Sequence, residues 1–283
     1  MAILNNIVFC IVTYKEHYKS CDSYTSLINS YKFFNYGLNL NIFVYDNTPD
    51  NKPQFLEELS DNIFLKYASD GKNMGLAYAY NYFGKLAKAN NFDQIVLLDQ
   101  DTTLPDTFYK SYMDMDNHHG IACPRVVANN NLMSPSKYIN FRSYLLDLDI
   151  DQTELNLNKI SFINSGMMID VKLFDRIGGY NQNLFLDFCD HDFIIKASSK
   201  INKVGIIDCT LNQDFSATSN SKEQALFRYK FFIRDLVIFY KEKCKVKIFF
   251  NVDLPRLLKL TYQYKSLQFF QIRILRFVKK VDI

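Results

Sequence analysis

The sequence predicts an α/β protein built on a mostly parallel sheet that is flanked by helices. Short apolar runs of strand length recur along the chain, and segments with helical spacing separate several of them. The first run, Ile7–Thr13, has no polar break, which is typical of a central parallel strand that is covered on both faces. Hydrophobic residues make up 48% of the 283 residues, so the chain can bury a sizeable core.

The predicted elements follow one another in the order expected for such a sheet. The predicted strands are Ile7–Thr13, Leu40–Tyr45, Phe64–Ala68, Ile95–Leu98, Ile121–Val127 and Val204–Asp208. The predicted helices are Ser20–Tyr36, Leu76–Ala89, a segment that begins near Pro105, Leu173–Ile177 and Asp187–Lys200. Residues 128–160 are polar and irregular and are expected to loop over the site, and Phe162–Val171 is expected to form a strand, a tight turn and a strand.

The C-terminal region differs from the rest of the chain in charge. Residues 1–221 carry 18 Lys and Arg against 25 Asp and Glu, whereas residues 222–283 carry 15 against 5. From Lys222 the pattern is helical, with a break expected at Pro255, and basic residues are mixed with Phe, Leu and Ile. We therefore predict one domain over residues 1–221 and a basic amphipathic helical extension over 222–283. The extension binds an anionic membrane surface, forms a homodimer, or packs against the core.

Several kinds of protein and site are not indicated. The six cysteines are scattered, with no Cys-x-x-Cys pair and no zinc spacing, and are interpreted as reduced core residues of a cytosolic protein. His17, His118 and His119 show no ligand spacing and are interpreted as surface or loop residues. No window reaches the ~18 apolar residues of a membrane span, and the first apolar run is too short for a signal peptide. No nucleic-acid motif accompanies the basic tail.

The most informative motif is the acidic pair Asp99 and Asp101, which follows the apolar run Ile95–Leu98. In open α/β sheets, ligands bind at the carboxyl ends of the strands. Mg²⁺ and Mn²⁺ take oxygen ligands, and two carboxylates one residue apart can hold such a cation, which then neutralises a diphosphate. The alternative is an ordinary acidic loop, but the position after a buried strand favours a metal site.

Other short motifs follow the ends of the predicted elements in a set order. They are Val12-Thr13-Tyr14, Tyr45-Asp46-Asn47, Asn73-x-Gly75 with Ala77, Ala79 and Asn81 after it, Asp99-Gln100-Asp101, Asn164-Ser165-Gly166 and Asp187-x-x-Asp190-x-Asp192. Over roughly residues 5–240 this ordered set resembles glycosyltransferase family 2, the inverting enzymes of the GT-A fold. The Leu-Leu-Asp-Gln-Asp form looks most like the bacterial rhamnosyltransferases that build surface polysaccharides.

The resemblance implies a nucleotide-binding side of the site. The implied contacts to the nucleotide and its phosphates are Thr13, Tyr14, Glu16, Asp46, Asn73, Gly75, Asp99 and Arg234. Thr13, Tyr14 and Asp46 match the family's contacts to the base and ribose, and Asn73 and Gly75 stand at a helix start, which favours phosphate. The alternative for Asp46 is a role in forming the turn. The alternative for Asn73 and Gly75 is an ordinary helix start, and that for Arg234 is a place on a basic amphipathic helix.

The resemblance also implies the chemistry. Asp101 is the main metal ligand, and Asp99 contacts the donor ribose or the metal. Inversion needs a carboxylate that takes the proton of the acceptor hydroxyl, and this role falls to Asp190, with Asp192 as the second candidate. The implied contacts to the sugar and the acceptor are Asn164, Ser165, Gly166, Asp187 and Asp192. The alternative for Asn164-Ser165-Gly166 is a simple hairpin turn. The alternative for Asp187, Asp190 and Asp192 is a helix start, where negative charge is favoured.

One position departs from the family pattern. The family usually has a histidine after the late strand, where it can ligate the metal, and this chain has Gln213 there, followed by Asp214. An amide oxygen can also bind a hard cation. Gln213 is therefore assigned as the third metal ligand, with Asp214 as the alternative.

The resemblance, taken with the acidic pair and the basic tail, implies an inverting glycosyltransferase that depends on Mg²⁺ or Mn²⁺ and is peripheral on the cytosolic face of the cell membrane. The predicted partners are a dTDP- or UDP-linked sugar, with dTDP-L-rhamnose favoured, and a lipid-linked glycan acceptor in O-antigen or capsule synthesis. Galactofuranose and other hexoses remain open as the sugar. A nucleotidyltransferase is the alternative of another class, although no glycine follows the first strand as that class usually requires. A non-catalytic scaffold that keeps the fold is the third hypothesis.

Overall fold

The computed structural model describes residues 6–34, 37–49, 52–149, 151–213, 221–241 and 245–278, so Asp214 lies outside the described residues. The strands are β1 (Ile7–Thr13), β2 (Leu40–Asp46), β3 (Gln54–Ser60), β4 (Ile63–Ser69), β5 (Gln94–Asp99), β6 (Thr102–Thr103), β7 (Ile121–Ala128), β8 (Asn131–Ser134), β9 (Ser136–Ile139), β10 (Arg142–Tyr144), β11 (Glu154–Asn156), β12 (Ile160–Ser161), β13 (Met168–Asp170) and β14 (Lys203–Gln213). The α-helices are α1 (Asp22–Phe34), α2 (Leu76–Ala89), α3 (Phe108–Met113), α4 (Val171–Ile177), α5 (Cys189–Ala197), α6 (Lys222–Phe239), α7 (Lys245–Ile248), α8 (Leu254–Tyr264) and α9 (Gln268–Val278).

The large sheet is mixed but mostly parallel around its centre. Its strand order is β11-β14-β7-β13-β5-β1-β2-β4-β3, with β6 and β8 attached to β14 and β7. β1 runs parallel to β2 and β5, β2 to β4, and β7 to β14, whereas β13 lies antiparallel between β5 and β7. A smaller sheet has the order β10-β9-β12. The predicted α/β architecture is therefore confirmed.

An apolar core lies on each face of the large sheet. Every residue of β1 is buried, and alternate side chains point to opposite faces. Val8 and Cys10 join the core that includes residues of α2, α4, α5 and α6, whereas Phe9 and Ile11 join the core that includes residues of α1 and α3. The described cysteines are buried free thiols, namely Cys10, Cys21, Cys123, Cys189 and Cys209. Cys244 lies outside the described residues.

Some predicted elements differ from the structure. The expectation of a loop over residues 128–160 is wrong, because this segment contains β8, β9, β10 and β11, whose lengths of three or four residues leave no periodic signal. The edge strand β3 is not among the predicted strands, because its side chains are mostly exposed. β14 continues past the predicted end at Asp208 and carries Gln213 into the sheet.

The C-terminal helices continue the first core. Leu257 of α8 and Phe269 of α9 belong to the same hydrophobic cluster as α6. The expected break at Pro255 is wrong, because a π-helical turn over Phe249–Asp253 joins α7 to α8. Pro255 lies in the first turn of α8, where its missing N–H is not needed. Among the described residues, no helix combines the length and the apolarity needed to cross a bilayer.

Candidate active site at the carboxyl ends of the strands

The carboxyl ends of β1, β2 and β5 lie side by side and form the floor of the candidate site. Val12 of β1 pairs with Tyr45 of β2 on one side and with Asp99 of β5 on the other. The segment after β5 is tied to the end of β1, because the Tyr14 backbone N–H donates a hydrogen bond of 2.6 Å to Gln100 Oε1. The strand ends thus gather five of the predicted site residues at one edge of the sheet, namely Thr13, Tyr14, Asp46, Asp99 and Asp101.

Gln213 is brought to the acidic pair by the last residues of β14. The short strand β6 directly follows Asp101 and pairs with β14, so that Thr102 stands opposite Gln213. Gln213 Nε2 donates a hydrogen bond of 3.4 Å to Asp101 Oδ1. The other end of this amide, Oε1, is buried and has no hydrogen-bond partner among the described residues. An oxygen atom with no partner therefore lies beside the two carboxylates.

The ionised form of Asp99 is disfavoured in this setting. Burial is the largest cause, and the neighbouring Asp101 carboxylate adds to it, so that the pKa of Asp99 is raised to about 6. Hydrogen bonds from Tyr80 and Gln213 oppose the rise, and the Tyr80 hydroxyl donates to Asp99 Oδ1 at 3.1 Å. Asp190 also raises this pKa. The Asp190 carboxylate is therefore close enough to the acidic pair for its charge to act on Asp99.

A stack of aromatic rings brings these two segments together. The ring centroid of Tyr80 on α2 lies 4.9 Å from that of Tyr180, which stacks on Phe193 of α5 at 4.4 Å. Asn81 fixes Tyr180 by accepting a hydrogen bond of 2.8 Å from its N–H and donating one of 2.9 Å to its carbonyl. Because Tyr80 also binds Asp99, the position of α5 is linked to the acidic pair through packed side chains.

The three acids at the start of α5 have different partners. Asp192 forms an ion pair of 2.9 Å with Lys196 on the same helix. Burial raises the pKa of Asp187, with the nearby arginines Arg256 and Arg228 opposing the rise. Asp190 Oδ1 accepts a hydrogen bond from a backbone N–H of the helix. Among the described residues, neither Asp190 nor Asp187 forms an ion pair, and Asp187 is the more deeply buried of the two.

A residue that the sequence analysis does not single out, Asp235 of α6, holds the backbone in front of Asp190. Its carboxylate is fully buried and accepts hydrogen bonds from the backbone N–H groups of Phe185, Leu186 and Asp187, with the shortest at 2.8 Å. The signal in the sequence is an acid within the apolar stretch of a helix that is otherwise expected to pack. Asp235 therefore fixes the path of the chain toward the candidate base.

The next residue along this path is strained. Phe188 has a φ of +65°, which is unfavourable for a bulky side chain. Its ring packs against Phe232 and Phe239 of α6, the latter in a stacked arrangement at 5.2 Å. α6 therefore holds the residues before Asp190 through both a buried carboxylate and an aromatic contact.

We expect Asp235→Ala to lower the free energy of unfolding by about 2 kcal/mol or more, because buried N–H groups would lose their acceptor. Urea denaturation of the purified chain measures this change. The exposed Asp106→Ala serves as the matched control and is expected to stay within about 0.5 kcal/mol of the unsubstituted chain. Equal stability of the two variants would mean that the Asp235 contacts contribute nothing.

The predicted sugar and acceptor segment Asn164-Ser165-Gly166 lies buried under the acidic pair. Ser165 Oγ accepts a hydrogen bond of 3.3 Å from the Asp99 N–H and bonds the Thr102 hydroxyl at 2.6 Å, and Asn164 Oδ1 accepts from the Tyr180 hydroxyl at 2.7 Å. Gly166 has a φ of +81°, and a Cβ there would meet side-chain atoms at 2.5–2.9 Å. These residues support the acidic pair from below, and direct contact with a sugar stays a prediction.

The predicted nucleotide side is built around the end of β2. Asp46 is buried, and its carboxylate accepts hydrogen bonds of 2.8 Å from the Thr48 N–H and from the Tyr67 hydroxyl. Thr13 Oγ1 is buried and has no hydrogen-bond partner among the described residues, while Glu16 is exposed. Both alternatives for Asp46, a turn former and a nucleotide contact, are compatible with this position at the edge of the cleft.

The start of α2 lies next to the segment before Asp190. Gly75 has a φ of +84°, and a Cβ there would lie 2.5 Å from the Phe185 carbonyl oxygen, which instead accepts a hydrogen bond of 2.7 Å from the Leu76 N–H. Asn73 Oδ1 accepts from the Gly75 N–H at 3.1 Å. Two N–H groups of this helix start are thus used by the protein, so a phosphate contact at Asn73 and Gly75 stays a prediction.

Arg234 is placed near this helix start by Phe185. Its guanidinium lies over the Phe185 ring, 5.5 Å from the centroid. Because the Phe185 carbonyl also binds the first turn of α2, the predicted phosphate contacts on α2 and α6 come together at the same segment.

His118 and His119 lie in the loop before β7, as expected, but the structure places them beside an acid from a distant segment. His118 and His119 lie with Glu154 so that one possible ligand atom of each falls within 4.8 Å of the others. The sequence spacing gives no sign of this, because Glu154 reaches the pair through the pairing of β11 with β14. The cluster precedes the amino end of β7 and so lies at the edge of the sheet opposite the acidic pair.

Comparison with known proteins identifies the family of the chain. The family model described as Glycosyl transferase family 2 matches residues 8–178 of the chain. The dTDP-rhamnosyl transferase RfbF of Shigella flexneri is 24% identical over 198 residues, which cover 68% of this chain and 63% of that protein.

Solved structures show the same fold at low identity. TarS residues 1–349 of S. aureus in complex with UDP aligns with a TM-score of 0.52 and 14% identity, over 82% of this chain and 65% of that one. GalNAc-T7 with UDP, GalNAc and Mn²⁺ aligns with a TM-score of 0.58 and 11% identity, over 93% of this chain and 59% of that one. The chain thus spans a little under two thirds of the length of these relatives.

Proposed function

The chain belongs to glycosyl transferase family 2, and on that premise we propose that it is an inverting, metal-dependent glycosyltransferase. It transfers L-rhamnose from dTDP-rhamnose to a lipid-linked glycan acceptor in the synthesis of O-antigen or capsule. The choice of sugar and nucleotide is supported by the relative named a dTDP-rhamnosyl transferase. The proposal is supported by the contact of Gln213 with Asp101 and by the electrostatic effect of Asp190 on Asp99, because these bring the candidate metal ligands and the candidate base near one another.

The residues at the acidic pair fit a divalent cation. Burial and, after it, the neighbouring Asp101 carboxylate raise the pKa of Asp99, and the buried Gln213 Oε1 has no hydrogen-bond partner among the described residues. A hard cation such as Mg²⁺ or Mn²⁺ takes oxygen ligands of these types. Asp99, Asp101 and Gln213 would hold it, and its charge would offset the negative charge that develops on the leaving nucleoside diphosphate.

Asp190 is proposed as the general base. Its carboxylate takes the proton from the acceptor hydroxyl as that oxygen attacks the anomeric carbon on the face opposite the leaving nucleotide. The absence of an ion pair at Asp190 among the described residues keeps the carboxylate free to accept this proton. The backbone contacts of Asp235 and the packing of Phe188 hold the base in place, so that little reorganisation is needed at the moment of transfer.

The nucleotide is proposed to lie along the carboxyl ends of β1 and β2. Thr13, Tyr14, Glu16 and Asp46 would contact the base and ribose there. Asn73 and Gly75 at the start of α2 would approach the diphosphate, and Arg234 would add a positive charge on the same side. The stacking of Arg234 on Phe185 supports this arrangement, because it sets the arginine near the start of α2.

A thermal-shift screen against nucleotide sugars, with and without Mn²⁺, tests the proposed function. Donor at 100 times its Kd is expected to add about 2.7 kcal/mol to the stability of the chain. dTDP-rhamnose with Mn²⁺ is expected to give the largest shift, and UDP-galactose and UDP-glucose serve as comparison donors. A melting temperature that no tested nucleotide sugar changes would overturn the proposal. A larger shift with a UDP-sugar than with dTDP-rhamnose would show that the UDP-sugar is the preferred donor.

Metal affinity is expected to fall steeply below pH 6. The Asp99 carboxyl has a raised pKa of about 6, so its proton must leave before the carboxylate can bind a cation. Mn²⁺ binding should therefore release about half a proton at pH 6 and close to none at pH 7.5. Calorimetric titrations in two buffers with different ionisation enthalpies measure this release. A wild-type release that is independent of pH would exclude Asp99 as the titrating group.

The C-terminal helices are proposed to bind an anionic membrane surface. Large apolar side chains are exposed on them, and exposed lysines accompany these side chains, as on helices that lie in a membrane interface. The apolar residues are Val246, Phe250, Leu258, Tyr262 and Leu267. The exposed lysines are Lys245, Lys247, Lys259 and Lys265. This chemistry fits a bilayer with anionic headgroups, where a lipid-linked acceptor would also be found.

Sedimentation with vesicles tests this surface. We expect binding to vesicles that contain phosphatidylglycerol, weak binding to pure phosphatidylcholine, and loss of binding as salt is raised. Phe250→Ser together with Leu258→Ser should weaken binding about tenfold or more, because two buried side chains of this size contribute roughly 1.5–3 kcal/mol each. Phe33→Ser, which removes a comparably exposed ring from α1, should have no effect. A stable dimer in solution that masks these helices would favour dimerisation instead.

A further inference from the structure

We propose that His118, His119 and Glu154 form a second metal site, which takes a transition metal of the Zn²⁺ class and is separate from the transfer site. One possible ligand atom of each side chain lies within 4.8 Å of the others. Zn²⁺ binds imidazole nitrogen and carboxylate oxygen at about 2.0–2.2 Å, and three protein ligands leave a fourth position for water. Ligation would require side-chain rotations that bring the three atoms closer together, and imidazole ligands favour this class of metal over Mg²⁺.

The ligands already have the neighbours expected around a metal. His119 Nε2 lies 3.0 Å from Glu154 Oε2, so two of the atoms that would ligate the metal are already side by side, in a contact that the metal would replace. His118 Nδ1 lies 3.5 Å from Asp116 Oδ2. A carboxylate beside one ring nitrogen fixes the tautomer and leaves the other nitrogen for the metal. A hydrogen bond from His118 Nδ1 to Asp116 would in this way leave His118 Nε2 for the metal.

The backbone on both sides of the site is fixed. The Gly120 N–H donates to the Asn117 carbonyl at 2.9 Å and closes a turn around the histidines, and the Gly120 carbonyl accepts from the Asp170 N–H at 2.8 Å. Glu154 belongs to β11 and pairs with Gly205 of β14. A metal held by these side chains would tie the turn before β7 to the edge strand β11, so its binding should stabilise the fold.

The site is open to ions from solvent and distant from the acidic pair. The three residues line a cavity of about 770 Å³, whose wall also includes Asp114 and Asp208. His118 and His119 precede the amino end of β7, and Glu154 pairs with Gly205 near the amino end of β14, whereas Asp99 and Asp101 lie at and after the carboxyl end of β5. The two sites can therefore be occupied independently, and the second does not depend on the proposed function.

One basic side chain competes with the metal. Lys203 contacts the other oxygen of Glu154, and both side chains of this ion pair are roughly half exposed, at 49% and 43%. Exposed ion pairs of this kind contribute at most about 1 kcal/mol. Lys203 therefore lowers the metal affinity without blocking the site, and its removal should raise the affinity.

Calorimetric titration of the metal-stripped full chain with ZnCl₂ tests the proposal, with Co²⁺ absorption as a probe of tetrahedral geometry. We expect a site that His119→Asn weakens by about tenfold or more, and that Lys203→Met strengthens about threefold. Asp101→Asn, which alters the transfer site, should leave this affinity unchanged. Zn²⁺ should also raise the melting temperature of the wild type, and EDTA should reverse the shift.

Several outcomes would overturn the proposal. Loss of Zn²⁺ binding in Asp101→Asn with full binding in His119→Asn would place the ion at the transfer site. Absence of binding at 1 mM Zn²⁺, or binding that neither histidine substitution weakens, would exclude this cluster. Circular dichroism checks that each variant is folded, and His118→Asn replaces His119→Asn in the test if the latter fails to fold.

Discussion

Asp190→Asn is expected to slow sugar transfer by about 10²- to 10⁴-fold, the range that a general base usually contributes. The amide has nearly the same shape but cannot take the proton of the acceptor hydroxyl. Nucleotide and Mn²⁺ binding should persist, because Asp99, Asp101 and Gln213 are unchanged. The measurement is the initial rate of transfer to a lipid-linked acceptor, together with the Kd of the donor in the presence of Mn²⁺.

Asp192→Asn is the matched control for this experiment. Asp192 lies two positions further along α5 and is paired with Lys196, so its loss should reduce the rate by less than about tenfold. If Asp192→Asn has the larger effect, the base is Asp192, which is the second candidate from the sequence. If neither variant loses activity while Asp101→Asn does, the proton is taken by another group and the assignment of the base is wrong.

The central strands and their motifs could be predicted because each is a local pattern. β1 and α2 begin and end where their apolar spacing predicts, and the acidic pair follows its strand as expected. Local signals succeed here because parallel strands are buried on both faces and are therefore continuously apolar. The edge strand β3 escapes prediction for the opposite reason, since nearly all of its side chains face solvent.

The supports of the site could not be predicted, because they depend on contacts between distant segments. The buried Asp235 accepts hydrogen bonds from three backbone N–H groups that lie 48 to 50 positions earlier in the chain. Gln213 reaches Asp101 only because β14 continues to pair with β6. The cluster of His118, His119 and Glu154 likewise depends on the pairing of β11 with β14. Sequence spacing carries none of this information.

Asp99→Asn is expected to abolish metal-dependent transfer and yet to stabilise the metal-free chain. Burial and the Asp101 carboxylate raise the pKa of Asp99 from 3.8 to about 6, so the folded state holds this proton more tightly than the unfolded state. A charged Asp99 therefore costs stability above pH 6. A shift of about two pKa units corresponds to roughly 3 kcal/mol. The neutral amide of the variant forms a weaker hydrogen bond with the Tyr80 hydroxyl, which offsets part of this. We therefore expect the free energy of unfolding to rise by about 1–2 kcal/mol at pH 7.5.

The pH dependence and the response to metal separate this explanation from a general packing effect. The difference in unfolding free energy between Asp99→Asn and the wild type should be absent below about pH 4, grow as pH rises to about 6, and stay constant above it. Saturating Mn²⁺ should reverse the order, because only the wild type gains binding energy. A pH-independent difference would show that the charge of Asp99 is not its cause. If Mn²⁺ makes the wild type the more stable of the two, the charged acidic pair destabilises the metal-free protein and is stabilised by the bound cation.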